Sequence, residues 1–340
     1  MKKHTRTIAI MTVLYLINYC ANATVLTVSN NDVEVGQFSS ISDAHNAANA
    51  GDTIYLSPSL KSYAGNDITK KIVILGTGFI KANSQSGYTK ITGTIRFQSG
   101  SEGSTISSLT GDFNIEVNAN NITIQRNKLK TMIVSDNVKN TFIINNIIQN
   151  SDCSNNLVTL KSNSYTFLYN NIIIGCQAGF WYYSSTDFPV NNVCILALSN
   201  ASTLINNNLI IGSKSIFGYE NSEIYFHNNI ISCSYYGGYD SHVYPFVING
   251  TADNRSTIFI QNENLSNHFT DPSNLNYHLK AGSTAINAGV DGTDSGIYGS
   301  EFPFIDDGAP GIPTIYFLDG PMTGSQKDGI NITIKAKTNQ

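Results

Sequence analysis

Glu220, Asp240 and His242 fall within one stretch of this chain that is also crowded with aromatic residues. Two carboxylates facing one glycosidic bond, about 5 to 9 Å apart according to mechanism, can hydrolyse it. A histidine beside them would add a group able to carry protons near neutral pH. Trp181, Tyr182, Tyr219, Tyr235, Tyr236 and Tyr239 surround this stretch, and Trp181 is the only tryptophan of the chain. Such rings stack on the apolar C–H faces of sugars, or else fill an interior with large buried area. Both uses remain open from the residues alone. Counting eight to ten residues past successive aliphatic markers gives Phe180 to Tyr182, then Phe217 and Tyr219, then Tyr239, which suggests one stripe on neighbouring repeats. Asp187 and Glu223 are further acid candidates.

Other chemistries find less support. Asp291 and Asp294 share a glycine-rich loop, but two acids make a thin calcium site, so neither cofactor nor metal is expected. No pair of cysteines has C-x-x-C spacing; Cys153, Cys176, Cys194 and Cys233 are either buried thiols or include one disulfide. His227 directly precedes an asparagine pair and reads as a coil-turn residue. Only 13% of residues are charged and the formal net charge is -4, so nothing marks a surface for nucleic acid.

The elements that would position these residues are announced by a repeated phrase. It reads Arg126-Asn127-Lys128-Leu129, Asn145-Asn146-Ile147-Ile148, Asn170-Asn171-Ile172, Asn207-Asn208-Leu209, Asn228-Asn229-Ile230 and, more loosely, Asn262-Glu263-Asn264-Leu265. The aliphatic markers step by 18, 25, 37, 21 and 35 residues. A period near twenty with occasional insertions predicts a solenoid. Asparagine suits its corners because it tolerates the left-handed backbone region and can form side-chain ladders between stacked coils. The two long steps predict insertions near 182–200 and 237–255, where function would be carried.

Short runs rich in Ile, Val and Thr, such as 71–75, 90–97, 114–117, 122–125 and 141–144, predict stacked strands. One helix is predicted after Ser39 or Ser40, burying Ile41, Ala44, Ala47 and Ala48 and capping the first coil. The fold expected is therefore all-β: a right-handed parallel β-helix with an N-terminal capping helix and a short C-terminal β appendage. Residues 1–23 read as a signal peptide, with Lys2, Lys3 and Arg6 before an apolar run and Ala21-Asn22-Ala23 at its end. Residues 24–300 form the β-helix, and 301–340 a Pro/Gly linker with two strands near 312–318 and 329–337. No transmembrane segment is expected after cleavage. The expected location is outside the cell or on its outer surface, as a monomer.

The helix followed by Gly51-Asp52-Thr53-Ile54-Tyr55-Leu56 resembles the entry of the pectin-lyase-like superfamily. The stretch through Asn276-Tyr277-His278-Leu279, Ala285 to Gly289 and Asp294 to Gly299 is similar to the exit of secreted members from Bacteroidetes-type bacteria. The resemblance implies the β-helix fold over roughly residues 30–300, but not one activity, since the superfamily holds lyases, hydrolases, epimerases and surface proteins. Its lyases would need an Arg or Lys base and clustered carboxylates for calcium; only Arg96, Arg126 and Arg255 follow the signal peptide, and no cluster is evident. The polygalacturonase pattern is missing too, with Asp306-Asp307 in the tail and no glycine-flanked histidine. The reading is a bacterial surface or secreted protein that binds polysaccharide or cell-surface glycan through an aromatic-lined face, without a recognisable catalytic motif. A polysaccharide lyase or glycoside hydrolase acting on a uronic-acid polymer is the alternative, and a structural or adhesive envelope protein the next.

Overall fold

The computed structural model describes residues 23–32, 36–78, 88–152, 155–175, 193–212, 216–218, 221–233, 246–248, 251–253, 255–261, 264–299, 303–304, 306, 314–319 and 333–337. It is a right-handed parallel β-helix. A typical coil passes through Thr141–Ile144, turns at Asn145 and Asn146, continues through Ile147–Gln149, and crosses to Val158–Leu160 before the next coil begins at Tyr165–Tyr169. First strands of successive coils stack into a parallel ten-stranded sheet from Val25–Val28 to Thr251–Asp253, and the other two walls join in a fifteen-stranded sheet.

The core follows from this register. Ile54, Ile74, Ile106, Ile124, Ile143, Leu168, Ile205 and Phe226 form one inward file with no exposed surface. Burying each such side chain contributes roughly 1.5–3 kcal/mol. Beside it, Thr141, Thr166 and Thr203 form a second inward file whose hydroxyl oxygens find no hydrogen-bond partner among the described residues.

The two asparagines of each phrase have separate jobs. The first occupies the left-handed region: φ is 55° at Asn145, 56° at Asn170, 59° at Asn207 and 55° at Asn228, with Arg126 at 55° and Ser256 at 54° in the same slot. The second builds a buried ladder through Asn127, Asn146, Asn171, Asn208 and Asn229. Each side-chain oxygen in Asn146, Asn171, Asn208 and Asn229 accepts both the backbone N–H and the side-chain N–H of the preceding asparagine, at 2.8–3.1 Å. Each amide in turn donates to a carbonyl of the previous coil, as Asn146 does to Ile124 at 2.8 Å. The sixth phrase is a correction. Ile258, not Leu265, pairs with Ile230, so that coil arrives after 28 residues, and Thr257 takes the asparagine slot by donating to the Phe226 carbonyl. Leu265 instead begins a short helix, Leu265–His268, capped by Asn264.

The capping helix spans Ile41–Ala47 with Ser40 as its N-cap. Its buried face is Ile41, Ala44, His45 and Ala48; Ala47 is exposed, contrary to the expected face, because at about 100° per residue it falls outside the stripe those four share. His45 Nε2 accepts the Thr69 N–H, and burial lowers its pKa, with Lys70 adding to the effect. The first described strand is Val25–Val28, which pairs in parallel with Thr53–Leu56.

After the last described coil strand, Ile258–Gln261, residues 264–299 and 303–304 turn back along the outside of the solenoid as a strap. Phe269, Tyr277, Ala285, Ile297 and Phe304 cover the outward column of Ile147, Ile172, Leu209 and Ile230. This is why strands such as Ile172–Ile174 are aliphatic on both faces. The first-slot residues form its docking track: Val290 N–H donates to Asn207 Oδ1 at 2.9 Å, Gly296 N–H to the Asn207 carbonyl at 2.8 Å, and Arg126 Nε to the Pro303 carbonyl at 3.3 Å. Gly299 is required by closeness, since a Cβ there would stand 1.8 Å from the Asp294 carbonyl oxygen. Tail strands Thr314–Asp319 and Thr333–Lys337 pair antiparallel. Among the described residues, no helix is long and apolar enough to cross a membrane.

Candidate functional site

Glu220, Asp240, His242, Trp181, Tyr182, Tyr219, Tyr235, Tyr236 and Tyr239 lie outside the described residues, as do Asp187, Cys153 and Cys176. What the structure gives is the anchorage of their segments. Ile172–Ile174 and Ile230–Cys233, which precede the two insertions, lie in one wall of the fifteen-stranded sheet, and Ile195–Ala197 and Phe246–Ile248, which follow them, lie in another. The equal count from the markers does not hold register past the insertions. Phe217 pairs with Leu196 and Val247, residues at quite different offsets, because the inserted lengths differ. Cys194 is buried, its sulfur packed against Gly175 and Gly212 and directed at the Ile211 carbonyl.

A second aromatic stripe is fully described, and forward counting missed it. Three residues before each left-handed slot lies an outward position of the ten-stranded sheet. It holds Thr123, Phe142, Phe167, Leu204, Tyr225 and Asp253 in unbroken register. Counting backward from the asparagine would have revealed it, because the strand between is uninterrupted and its alternation is strict. The Phe142 and Phe167 rings stack at 4.8 Å and 4°, as in-register coils dictate. Tyr165 meets Phe167 edge-on at 4.7 Å and 65°, and Tyr169 lies 5.9 Å from it at 52°. All four rings are partly exposed. The two phenylalanine rings lie parallel, whereas the two tyrosine rings are turned out of that plane. Burial raises the pKa of Tyr169, and Tyr165 adds to the effect, so Tyr169 remains a neutral hydroxyl donor at ordinary pH.

The stripe ends in charge. Asp253 is held bidentately by Arg255, with Nη2 at 2.8 Å and Nε at 3.1 Å, and His227 Nε2 stands 3.4 Å from the same carboxylate. His227 is thus the outward last residue of strand Glu223–His227 rather than a turn residue. The Arg255 hydrogen bonds hold Asp253 below the usual carboxylate range, which keeps it ionised, the wrong direction for a general acid. Glu223 lies on the same outward face, two positions before Tyr225, within 3.5 Å of Ser202 Oγ.

On the strap, Asp306 receives the Tyr298 hydroxyl at 2.7 Å and lies 2.7 Å from His278 Nε2, with the His278 and Tyr298 rings stacked at 4.1 Å. The Tyr298 hydroxyl is pushed strongly up by burial and by Asp306. This cluster closes the strap on itself. Asp294, considered for calcium, accepts the Asn287 N–H at 2.9 Å, and no group of three potential metal ligands occurs among the described residues.

No known protein family and no curated protein matches the sequence. Among solved structures, the crystal structure of pectate lyase Pel9A is similar over 80% of this chain and 95% of that one, at 14% identity and a TM-score of 0.33. At that level the likeness carries no argument about activity, and the fold rests on strand register.

Proposed function

We propose that this β-helix is an exported or cell-surface protein that binds polysaccharide through the outward face of its ten-stranded sheet. The observation that supports this is the in-register ring cluster of Phe142, Tyr165, Phe167 and Tyr169, continued by Tyr225. Rings fixed on a rigid sheet lose little conformational freedom on binding, and tyrosine adds a hydroxyl beside each apolar face. The first test is retention on insoluble polysaccharides and on glycan arrays. The Tyr165→Ala/Tyr169→Ala variant should bind at least tenfold more weakly than wild type with nearly unchanged melting. Equal retention by the two proteins would sink this reading and leave the structural or adhesive role.

Glu223 and Asp253, two carboxylates on that face, favour a second reading in which a bound glycan is also cleaved. Reducing-end or unsaturated products, lost in Glu223→Gln and Asp253→Asn, would establish it. Products unaffected by both substitutions would place any cleavage elsewhere.

A further inference from the structure

The uncharged character of the face extends far beyond its rings. The outward file that carries Phe142 runs back in register through Thr123, Thr105, Val73 and Thr53 to Val25. A neighbouring file runs from Thr27 to Asn206. From Val25–Val28 to Ser202–Asn206, no outward position on these strands carries a charge. At about 4.8 Å per strand, the eight strands span roughly 34 Å along the solenoid axis. Ordinary surfaces are about a quarter to a third charged. The first strands of the other sheet do carry charge, with Asp67, Arg96 and Glu116 linked on their outer face.

We infer that this whole face receives one extended, uncharged polysaccharide, laid along the solenoid axis. This rests on the binding reading above and names its ligand class. An acidic polymer laid there would give up carboxylate hydration with no cation to replace it. Of the cations bordering the face, Lys71 and Lys139 stand in the turns before its strands, Lys139 already bonded to the Asn163 carbonyl, and Arg255 is held by Asp253. A neutral chain matches both kinds of surface present. Its hydroxyls meet Thr, Ser, Gln and Tyr, and its C–H faces meet the rings.

The experiment is a depletion assay with microcrystalline cellulose, chitin and a neutral soluble glucan, set against polygalacturonate. Its key variants, Thr105→Glu/Thr123→Glu and Thr105→Lys/Thr123→Lys, leave every ring in place. Both threonines are partly exposed, and a thermal melt confirms that each variant folds. Wild type should bind at least one neutral polymer and not polygalacturonate, and both charged variants should bind that polymer at least tenfold more weakly. Wild-type retention by the charged variants would overturn the extended footprint while leaving the ring site intact. Preference for polygalacturonate would overturn the ligand class. Loss of binding in neither these variants nor the tyrosine variant would remove both readings. A concentration-dependent dimer in sedimentation velocity, abolished by Thr105→Glu/Thr123→Glu, would assign the face to a second copy instead.

Discussion

Phe167 and Asn171 stand four residues apart in one coil, and both belong to files that repeat with the coil, yet they differ in what they leave unsatisfied. Asn171 is fully buried, its oxygen accepts two N–H groups from Asn146, and its amide donates to Ile143 and to Asn208. Nothing remains for a ligand. Phe167 touches Phe142, Tyr165 and Tyr169, but the cluster stays partly open to water. Repetition that satisfies itself builds the coil. Repetition that leaves apolar and hydroxyl surface in water is where binding is to be sought.

The comparison breaks most visibly at the asparagine. Asn171→Ala should cost about 3–5 kcal/mol, because several buried backbone and amide groups lose partners at once. Chemical denaturation would show it, and Phe167→Ala should cost clearly less, since its site is only half-buried. Equal losses would mean that the two files do not differ in kind.

A smaller effect is expected at the N-terminal edge. Asp52 accepts the Thr24 N–H at 2.8 Å and the Asn49 N–H at 2.7 Å, and these bonds lower its pKa. A depressed carboxylate contributes stability that is present above its unfolded pKa of about 3.9 and is lost as pH falls through the folded value. Asp52→Asn should therefore lower stability by about 1–2 kcal/mol at neutral pH, with the difference shrinking below about pH 4. A pH-independent difference between the two proteins would rule this out.

The smallest effect has the opposite sign. Thr166 is fully buried in the inward threonine file and its hydroxyl has no partner among the described residues. Thr166→Val should raise stability by about 1 kcal/mol, since it removes an unsatisfied polar group and keeps the branched shape. A loss measured by the same denaturation would show that this hydroxyl is bonded in solution.

Sequence carried the fold well because its signals are local. The residue pair at each corner declares both the left-handed turn and the ladder, and strands Lys90–Phe97 and Thr141–Ile144 coincide with the runs that predicted them. It carried the strap poorly. Ile297 and Phe304 pack on Ile172 and its neighbours across a long stretch of chain, and no periodicity encodes that contact. The aromatic stripe before the corner went unread, while the aromatics counted after the corner lie mostly outside the described residues. Forward from the asparagine, insertions destroy the count; backward, strand alternation preserves it.

The central claim is that the ten-stranded face meets the glycan, and tyrosine nitration with and without a saturating neutral polysaccharide reads it directly. Tyr55, Tyr165, Tyr169 and Tyr225 all lie on that face and are partly exposed, while Tyr88, partly exposed as well, lies outside its strands. The account predicts protection of the four by bound polysaccharide and no change at Tyr88. Binding that leaves all four as reactive as before would contradict it.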